Sequence, residues 1–252
     1  MTRRLAVVLA AGKGTRMKSE LPKVLIPVCG RPMIQYVVDT LTAAGMDQIV
    51  LVVGYRADLV RETFAGQKQI AFVEQPQQLG TGHAVMVCRD VLAAQQGPVV
   101  VVTGDAPMMQ LESIQALLDE FQRSHPACLL GTLHKSNPAG LGRIVRDAAG
   151  EFVAIVEERD ATSEQRMITE VNMSCYVFDC QELLFALERI RSDNAQGEYY
   201  ITDCPAVLKA AGKRIVALPV LKPVEALGVN TMAELEEVER VLCGHAVEKL
   251  PT

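Results

Sequence analysis

A glycine-rich stretch with several basic residues, LAAGKGTRMKSELPKVL, follows the first apolar run of the chain and spans residues 9–25. Backbone N–H groups in a glycine-rich turn can surround phosphate oxygens, and basic side chains can neutralise the charge of a triphosphate. The basic residues of this stretch are Lys13, Arg16, Lys18 and Lys23. The stretch predicts a phosphate site, with an ordinary strand-to-helix turn carrying solvated charges as the alternative.

Met17 separates this stretch from the two commonest phosphate-binding loops. Counted from Gly12, the dinucleotide fingerprint G-x-G-x-x-G requires its third glycine at position 17. The Walker loop G-x-x-x-x-G-K-[ST] requires its second glycine at the same position. The sequence therefore argues against a dinucleotide oxidoreductase and against a Walker-type loop.

Two polar segments follow later apolar runs. EQPQQLGTGHA at 74–84 places three glutamine amides beside a Gly-Thr-Gly turn, and amides can read a base edge because they carry donors and acceptors. Asp105 ends the run PVVVVTGD at 98–105, where a carboxylate would lie in the usual ligand crevice and would suit Mg²⁺. A polar surface loop and a helix N-cap are the respective alternatives. A further segment, NAQGEYYITD at 194–203, is either a lid or the start of a helix.

Strand-like and helix-like segments alternate over the first half of the chain. The predicted strands there are 5–9, 48–54, 70–75 and 98–105, and the predicted helices are 32–44, 57–65, 82–95 and 111–121. Strands that are apolar throughout are buried on both faces, which predicts a parallel sheet covered by helices. The second half is predicted to hold a hairpin around 148–150, strands at 170–179 and 214–220, and helices at 180–191, 202–212 and 231–243.

The predicted fold class is α/β: a Rossmann-like, mostly parallel sheet flanked by helices, with a β-rich lid. We expect a single domain over residues 1–243. Its first half ends near residue 125, its second half covers about 126–230, a C-terminal helix covers 231–243, and 244–252 form a tail.

Charge and cysteine usage restrict the class of protein. A net charge of −5 with one basic loop favours a small phosphorylated ligand over nucleic acid, and no apolar stretch approaches the roughly 18 residues of a membrane span. Seven cysteines without a C-x-x-C pair predict free thiols, and four histidines without metal-ligand spacing argue against a zinc site. With no signal peptide, these features predict a cytoplasmic protein without a membrane partner.

In chain order, these segments resemble the sugar-phosphate nucleotidyltransferases, and among them the uridyltransferase domains that are joined to an acetyltransferase in bifunctional proteins. The resemblance runs from about residue 5 to about residue 240. It rests on LAAGKGTRM, LPKVL, QLGTGHA, GDAP, GRI, IVEERDAT, EVN, NAQGEYYITD and GVN. It implies the nucleotide-diphospho-sugar transferase fold, with the nucleotide in the first half and a sugar-binding lid in the second.

The resemblance implies a role for each matching residue. Arg16, Lys23 and Asp105 would be catalytic, with Arg16 and Lys23 on phosphates and Asp105 with Asn230 on Mg²⁺. The nucleotide would lie against Leu9, Ala10, Ala11, Gly12, Lys23, Gln75, Gln78, Gly80, Thr81, Thr103 and Gly104. Among these, Gln75, Gly80 and Thr81 would recognise uracil. The sugar would be held by Gly142, Glu157 and Asn172, with Tyr200 and Thr202 nearby.

The implied reaction joins UTP and N-acetylglucosamine 1-phosphate to give UDP-N-acetylglucosamine and pyrophosphate. The sugar phosphate is already an anionic nucleophile, so no general base is required. The obstacle is repulsion between two anions, which Mg²⁺ and basic side chains would offset. No hexapeptide repeat of a left-handed β-helix is present, so we expect neither acetyl transfer nor the family's trimer contact, and a monomer or weak dimer.

Two departures from the family pattern lie in the sugar-binding half. YGR is replaced by LGR at 141–143, and NTG by NMS at 172–174. They favour, as the alternative, a nucleotidyltransferase for another sugar 1-phosphate. A catalytically silent sugar-nucleotide sensor is a weaker alternative, because Lys23, Asp105 and Asn230 are all present.

Overall fold

A mixed β-sheet forms the centre of the computed structural model, which describes residues 3–17 and 19–247. In chain order the strands are β1 (Leu5–Ala10), β2 (Pro27–Val28), β3 (Arg31–Pro32), β4 (Gln48–Val53), β5 (Ile70–Glu74), β6 (Pro98–Thr103), β7 (Cys128–His134), β8 (Gly142–Arg146), β9 (Phe152–Val156), β10 (Glu170–Asp179) and β11 (Ile215–Leu218). The short strands β2 and β3 form a separate hairpin, and the others share one sheet.

Helices cover this sheet. They are α1 (Met33–Ala43), α2 (Ala57–Thr63), α3 (Thr81–Met86), α4 (Arg89–Ala93), α5 (Leu111–Ser124), α6 (Ser163–Arg166), α7 (Cys180–Leu187), α8 (Cys204–Ala210) and α9 (Met232–Val247). Within residues 3–17 and 19–247, no helix combines the length and the apolar character that crossing a membrane requires.

The first half of the chain builds the parallel part of the sheet. β1 pairs in parallel with β4 on one side and with β6 on the other, and β5 extends the sheet beyond β4. Alternate residues of β1 enter two separate hydrophobic cores, Leu5 and Val7 on one face and Ala6 and Val8 on the other. Because the chain moves outward to β5 and then returns to β6, the carboxyl ends of β1 and β6 border a topological switch point.

The second half adds mainly antiparallel strands to the same sheet. β10 pairs antiparallel with β6 and β7, and β11 runs parallel to β7. The β8–β9 hairpin joins the beginning of β10, where Gly142 lies opposite Asn172. This sheet, parallel in its first half and covered by helices, confirms the predicted α/β fold class.

Several element boundaries differ from the prediction. The predicted helix 82–95 is two helices, α3 and α4, because Cys88 leaves helical geometry (φ −85°, ψ 8°) with its side chain in the core. The predicted helix 202–212 begins with a 3₁₀ turn before α8, and the last helix continues to Val247. The β2–β3 hairpin was not predicted, since its two-residue strands are too short to show a periodic pattern.

The C-terminal helix α9 packs against the glycine-rich stretch of residues 9–25, which we call the phosphate loop. A small core forms between them and the β2–β3 hairpin from Met17, Ile26, Val28, Met33, Met108, Val229, Leu235 and Val238. The Met17 side chain is only 3 % exposed and anchors the loop in this core. A glycine at position 17 would lose this contact.

A disulfide joins Cys29, at the turn of the β2–β3 hairpin, to Cys243 of α9, with the Cα atoms 6.2 Å apart. The prediction of free thiols is therefore wrong for this pair. Nothing in the sequence indicated the pairing, because the packing of α9 brings together residues 214 positions apart. The remaining cysteines, Cys88, Cys128, Cys175, Cys180 and Cys204, are free and buried. Burial raises the pKa of each of these thiols, which makes them unreactive.

We expect the disulfide to stabilise the fold, because a cross-link between distant residues restricts the unfolded chain. Without reductant, Cys243→Ser should lower the free energy of unfolding, measured by urea denaturation, by about 2–5 kcal/mol. In dithiothreitol, wild type and variant should unfold at the same urea concentration. Thiol titration of the unfolded wild-type protein should find five thiols before reduction and seven after it. Seven thiols before reduction would contradict the disulfide.

Candidate active site

A cleft of about 250 Å³ opens at the carboxyl ends of β1 and β6, at the switch point of the sheet. The Gly104 N–H donates to the Leu9 carbonyl over 2.9 Å and so joins the two strand ends. The cleft is lined by the predicted metal ligand Asp105 and by predicted nucleotide residues, namely Leu9, Ala10, Ala11, Gly12, Lys23, Gln75, Gln78, Gly80, Thr81 and Thr103. It is also lined by residues that the sequence did not indicate, namely Val24, Ala84 and Glu198.

A wider depression of about 1030 Å³ lies at the opposite, amino edge of the strands and includes Arg3, Arg4 and Asp47. The Arg4 backbone N–H donates to the Asp47 carboxylate over 2.7 Å. None of the predicted site residues lines this depression. The smaller cleft at the switch point is therefore the candidate site.

The phosphate loop turns at Gly14, whose φ of 67° lies in the left-handed region. A Cβ atom on Gly14 would lie 2.6 Å from the Cβ of Lys23, so glycine lets the lysine side chain pack directly on the loop. The Met17 N–H donates to the Gly14 carbonyl over 2.9 Å and closes the turn. Lys18, which the sequence placed among the basic residues of the loop, lies outside the described residues.

Three distant segments meet at the Lys23 ammonium group. Lys23 Nζ forms an ion pair with the Asp105 carboxylate and donates to Asn230 Oδ1 over 2.7 Å. Arg16 donates to the same amide oxygen over 3.2 Å. The Lys23 side chain is 12 % exposed, whereas Arg16 is open to solvent. The structure thus brings the predicted catalytic residues and Asn230 into one polar group.

The start of α9 holds Asn230 in this group. The Asn230 N–H donates to the Glu234 carboxylate over 2.8 Å, and the Thr231 hydroxyl donates to the same oxygen over 3.1 Å. Glu234 was not among the predicted residues. The spacing of Thr231 and Glu234 is that of a capping box, so the sequence contained a signal for this contact.

The turn after β5 holds its glutamine side chains in different environments. Gln75 is 3 % exposed, and its amide nitrogen donates to the Gly80 carbonyl over 3.1 Å. Gln78 donates to the Gln75 backbone carbonyl over 3.2 Å, and both residues line the cleft. Gln77 is exposed and does not line it.

The segment 194–203 is bonded to this turn. The Tyr199 N–H donates to the Leu79 carbonyl over 2.8 Å, and the Gly82 N–H donates to the Tyr199 carbonyl over 2.7 Å. Gly80 has a φ of 108°, and a Cβ on it would lie 2.4 Å from the Tyr199 carbonyl oxygen. Only glycine therefore allows the two backbones to approach this closely. The segment forms a wall of the cleft through Glu198 as well as the entry to α8.

Four of the predicted sugar-binding residues lie together where the β8–β9 hairpin meets β10. A Cβ on Gly142 would lie 3.6 Å from the Asn172 Cβ and from a Glu157 carboxylate oxygen. The Thr202 hydroxyl donates to Glu157 over 3.0 Å. Tyr200, the fifth residue, is buried, and its hydroxyl accepts from the Gln196 amide over 2.6 Å.

Tyr176 belongs to this group and was not predicted. It is fully buried in β10, and its hydroxyl accepts from the Asn172 amide nitrogen over 2.7 Å. The Ser174 N–H donates to the Asn172 amide oxygen over 3.2 Å, so the Asn172 side chain is held at both ends. A register shift in β10 lies between Asn172 and Tyr176, so the regular alternation of a strand did not indicate this contact.

The family departures lie beside this group. Ser174 has a φ of 52°, in the left-handed region, at a register shift in β10 between Asn172 and Tyr176. Glycine adopts this conformation without strain, which is consistent with the glycine of the family's NTG pattern. Met173 and Ser174 line a small cavity of about 20 Å³ with Thr103, which also lines the cleft.

Two carboxyl groups near segment 194–203 have raised pKa values. Burial raises the pKa of Glu157, and the hydrogen bond from Thr202 opposes this shift. Burial, together with the neighbouring charges of Glu157 and Asp160, raises the pKa of Asp203 to about 6. Both groups line a depression of about 380 Å³ that also includes Tyr200.

The sheet order and the cleft at its switch point define an α/β domain with a ligand crevice at the carboxyl ends of its strands. The chain belongs to the family of MobA-like NTP transferase domains, whose family model matches residues 6–193. This confirms the nucleotidyltransferase family that the sequence motifs indicated.

Curated relatives agree with this family. The bifunctional protein GlmU of Geotalea daltonii is 43 % identical over 242 residues, which cover 96 % of this chain and 53 % of the relative. The bifunctional protein GlmU of Geobacter metallireducens is 45 % identical over 235 residues, 93 % of this chain and 49 % of the relative. The chain therefore spans about half the length of the curated relatives it matches.

Two solved structures share the fold. A UDP-glucose pyrophosphorylase complexed with UDP-glucose has a TM-score of 0.77 at 19 % identity, over 97 % of this chain and all of that one. A putative glucose-1-phosphate thymidylyltransferase from Bacillus anthracis in complex with a sucrose also has a TM-score of 0.77 at 19 % identity, over 94 % of each chain. At this identity the likeness concerns the fold alone.

We expect Asp203→Asn to raise the melting temperature at alkaline pH. Because the Asp203 pKa is raised from 3.8 to about 6 in the folded state, ionisation of this group destabilises the fold as pH rises through that interval. The variant should melt about 2–4 °C higher than wild type at pH 8 and at nearly the same temperature at pH 4. The exposed Asp193→Asn serves as control. A lower melting temperature for Asp203→Asn at pH 8 would contradict this account.

Proposed function

We propose that the chain transfers UMP from UTP to N-acetylglucosamine 1-phosphate, giving UDP-N-acetylglucosamine and pyrophosphate. The observation that carries this proposal is the meeting of Lys23, Arg16, Asp105 and Asn230 beside a cleft lined by glutamine amides. Such an arrangement offers charge to a polyphosphate and hydrogen-bonding groups to a base in the same place. The identity of 41–45 % to bifunctional GlmU proteins supports this choice within the family.

The reaction is a substitution at the α-phosphorus of UTP. An oxygen of the sugar phosphate forms the new bond to phosphorus while the bond to pyrophosphate breaks. Since the attacking phosphate is already an anion, it needs no general base. Lys23 and Arg16 would reduce the repulsion between the two anions and stabilise charge on the departing pyrophosphate. Catalysis would then consist of positioning and electrostatic stabilisation.

Asp105 and Asn230 would hold the Mg²⁺ on which the reaction depends. Their side-chain oxygens both contact the Lys23 ammonium group, so two hard ligands already converge on one cation. Over the described ranges, no group of three or more His, Cys, Asp or Glu residues is arranged around a metal position. Mg²⁺ commonly takes its further ligands from substrate phosphates and water, so it would need few ligands from the protein. When bound, Mg²⁺ would neutralise phosphate charge.

The nucleotide would lie in the switch-point cleft. Gln75, Gly80 and Thr81 would recognise uracil, with Gln78 beside them. The backbone at the ends of β1 and β6 would contact the rest of the nucleotide through Leu9, Ala10, Ala11, Gly12, Thr103 and Gly104.

Gly142, Glu157 and Asn172 would hold the sugar, with Thr202 and Tyr200 supporting them. The second candidate is a nucleotidyltransferase for a different sugar 1-phosphate. It is favoured by Leu141 and by the left-handed Ser174 with its neighbour Met173, which replace the family's usual residues beside this group.

The monomeric or weakly dimeric state stays a prediction of the sequence. The cytoplasmic location also stays a prediction. The Cys29–Cys243 disulfide argues against it, because disulfides are rare in the cytoplasm.

Pyrophosphate release with a panel of nucleoside triphosphates and sugar 1-phosphates tests the proposal. We expect release in Mg²⁺ with UTP and N-acetylglucosamine 1-phosphate. Release with UTP and only another sugar 1-phosphate would favour the second candidate. No release with any pair would contradict both and favour a sensor of sugar nucleotides.

Asp105→Ala should abolish turnover and leave the fold intact, because it removes the only carboxylate that contacts Lys23 in the described part of the chain. Turnover and melting temperature should be measured together. Asp119→Ala, at an exposed position of α5, is the matched control. Near-normal turnover of Asp105→Ala would refute the metal assignment.

Lys23→Ala should lower kcat by about 10²–10³, the scale of one lost electrostatic contact to a developing charge. The exposed Lys68→Ala should retain wild-type kcat, since it lies outside the cleft. If Lys23→Ala raises KM for UTP but leaves kcat unchanged, Lys23 binds the ground state and the transition state equally, and its catalytic role is refuted.

A further inference from the structure

The side-chain amide of Gln75 is clamped from two sides. Its nitrogen donates to the Gly80 carbonyl over 3.1 Å and lies 2.9 Å from Nδ1 of His83. A carbonyl oxygen can only accept, so the Gly80 contact identifies this end of the amide as the nitrogen. A second donation to His83 uses the other N–H of the same group. Both hydrogens of the Gln75 amide are therefore bound within the protein.

The Gln75 amide oxygen remains for a ligand. In the part of the chain that the structure describes, no donor contacts this atom. Among the same residues, the only buried side-chain N or O atom without a hydrogen-bond partner is Nε of Arg143. The unpartnered Gln75 oxygen is therefore accessible. Gln75 lines the switch-point cleft. The residue therefore presents an acceptor, and only an acceptor, to whatever base enters the cleft.

This polarity distinguishes the two pyrimidines. Uracil carries a donor, N3–H, on the edge where cytosine carries an acceptor, N3. An acceptor held in a fixed position by the protein therefore accepts a hydrogen bond from N3–H of uracil and repels N3 of cytosine. The distinction holds only while the amide cannot rotate to present its nitrogen, and the terminal torsion of glutamine is broad.

His83 supplies the second of the two contacts that prevent this rotation. Accepting at Nδ1 requires the tautomer with its proton on Nε2. His83 lies in the first turn of α3, whose start is fixed by the Gly82–Tyr199 hydrogen bond and by the close approach of Gly80 to Tyr199. The His83 ring is therefore carried by a backbone that these contacts hold in place.

We propose that His83 is a positioning residue that holds the Gln75 amide with its oxygen toward the base and thereby sets the preference for uridine over cytidine nucleotides. The proposal rests on the proposed nucleotidyltransferase function and adds to it the origin of base selectivity. His83 was absent from the residues indicated by the sequence, although it follows the Gly-Thr-Gly turn directly.

The test compares kcat/KM for UTP and for CTP, with one sugar 1-phosphate, in wild type and two variants. His83→Leu removes the acceptor and should lower the UTP-to-CTP ratio about three- to tenfold, the range expected for one hydrogen bond. The loss should appear in KM for UTP with little change in kcat, because no reacting group is touched. His83→Asn, which restores an oxygen acceptor near the position of Nδ1, should recover most of the ratio.

His134→Ala is the matched control, since this histidine is exposed and does not line the cleft. A folded His83→Leu with the wild-type ratio would overturn the role of His83 while leaving the proposed function intact. A wild-type protein with no preference for UTP would instead refute the proposed function, and the base-selectivity role with it.

A measurement on the wild-type protein does not depend on how the variants fold. Imidazole ¹⁵N chemical shifts at alkaline pH should show that His83 carries its proton on Nε2 and that Nδ1 is an acceptor. A proton on Nδ1 would overturn the proposal, because that nitrogen could not then accept from Gln75.

Discussion

The Lys23 ammonium group is the point on which the arrangement of this site depends. An ammonium of this low exposure needs compensating charge and hydrogen bonds, because desolvation of a cation is costly. Asp105 supplies the charge from the end of β6, and Asn230 supplies an oxygen from the start of α9. The same two oxygens suit a divalent cation. The contacts of one ammonium group thus connect the phosphate loop, the end of a central strand and the start of the C-terminal helix.

The phosphate loop keeps its shape through packing as much as through glycine. Gly14 allows the loop backbone to contact the aliphatic part of the Lys23 side chain. The Met17 side chain packs in the small core formed with α9. The disulfide from Cys29 to Cys243 ties the same helix to the hairpin that follows the loop. The C-terminal helix therefore stabilises the phosphate loop, and its residue Glu234 also holds Asn230, which lies just before the helix begins.

Backbone contacts join the two halves of the chain at the turn of residues 79–82, which we propose to recognise the base. The segment 194–203 belongs to the second half, yet its hydrogen bonds hold residues 79–82 of the first half. Gly80 makes this possible because no side chain fits between the two backbones. Hydrogen bonds to this turn hold the Gln75 amide, whereas the residues proposed to hold the sugar lie around Gly142 and Glu157, where this chain departs from its family.

The sequence by itself determined the α/β class, the central position of the apolar strands and the placement of the phosphate loop, Gln75 and Asp105 at their carboxyl ends. These features follow from local hydrophobic periodicity and from the rule that ligands bind at a switch point. Only the tertiary structure decided that Asn230 meets Lys23 across 207 residues and that Cys29 pairs with Cys243. The same holds for the contacts of His83 with Gln75 and of Tyr176 with Asn172. Such contacts depend on the directions of individual side chains after distant segments have packed, and no local pattern of residues encodes those directions.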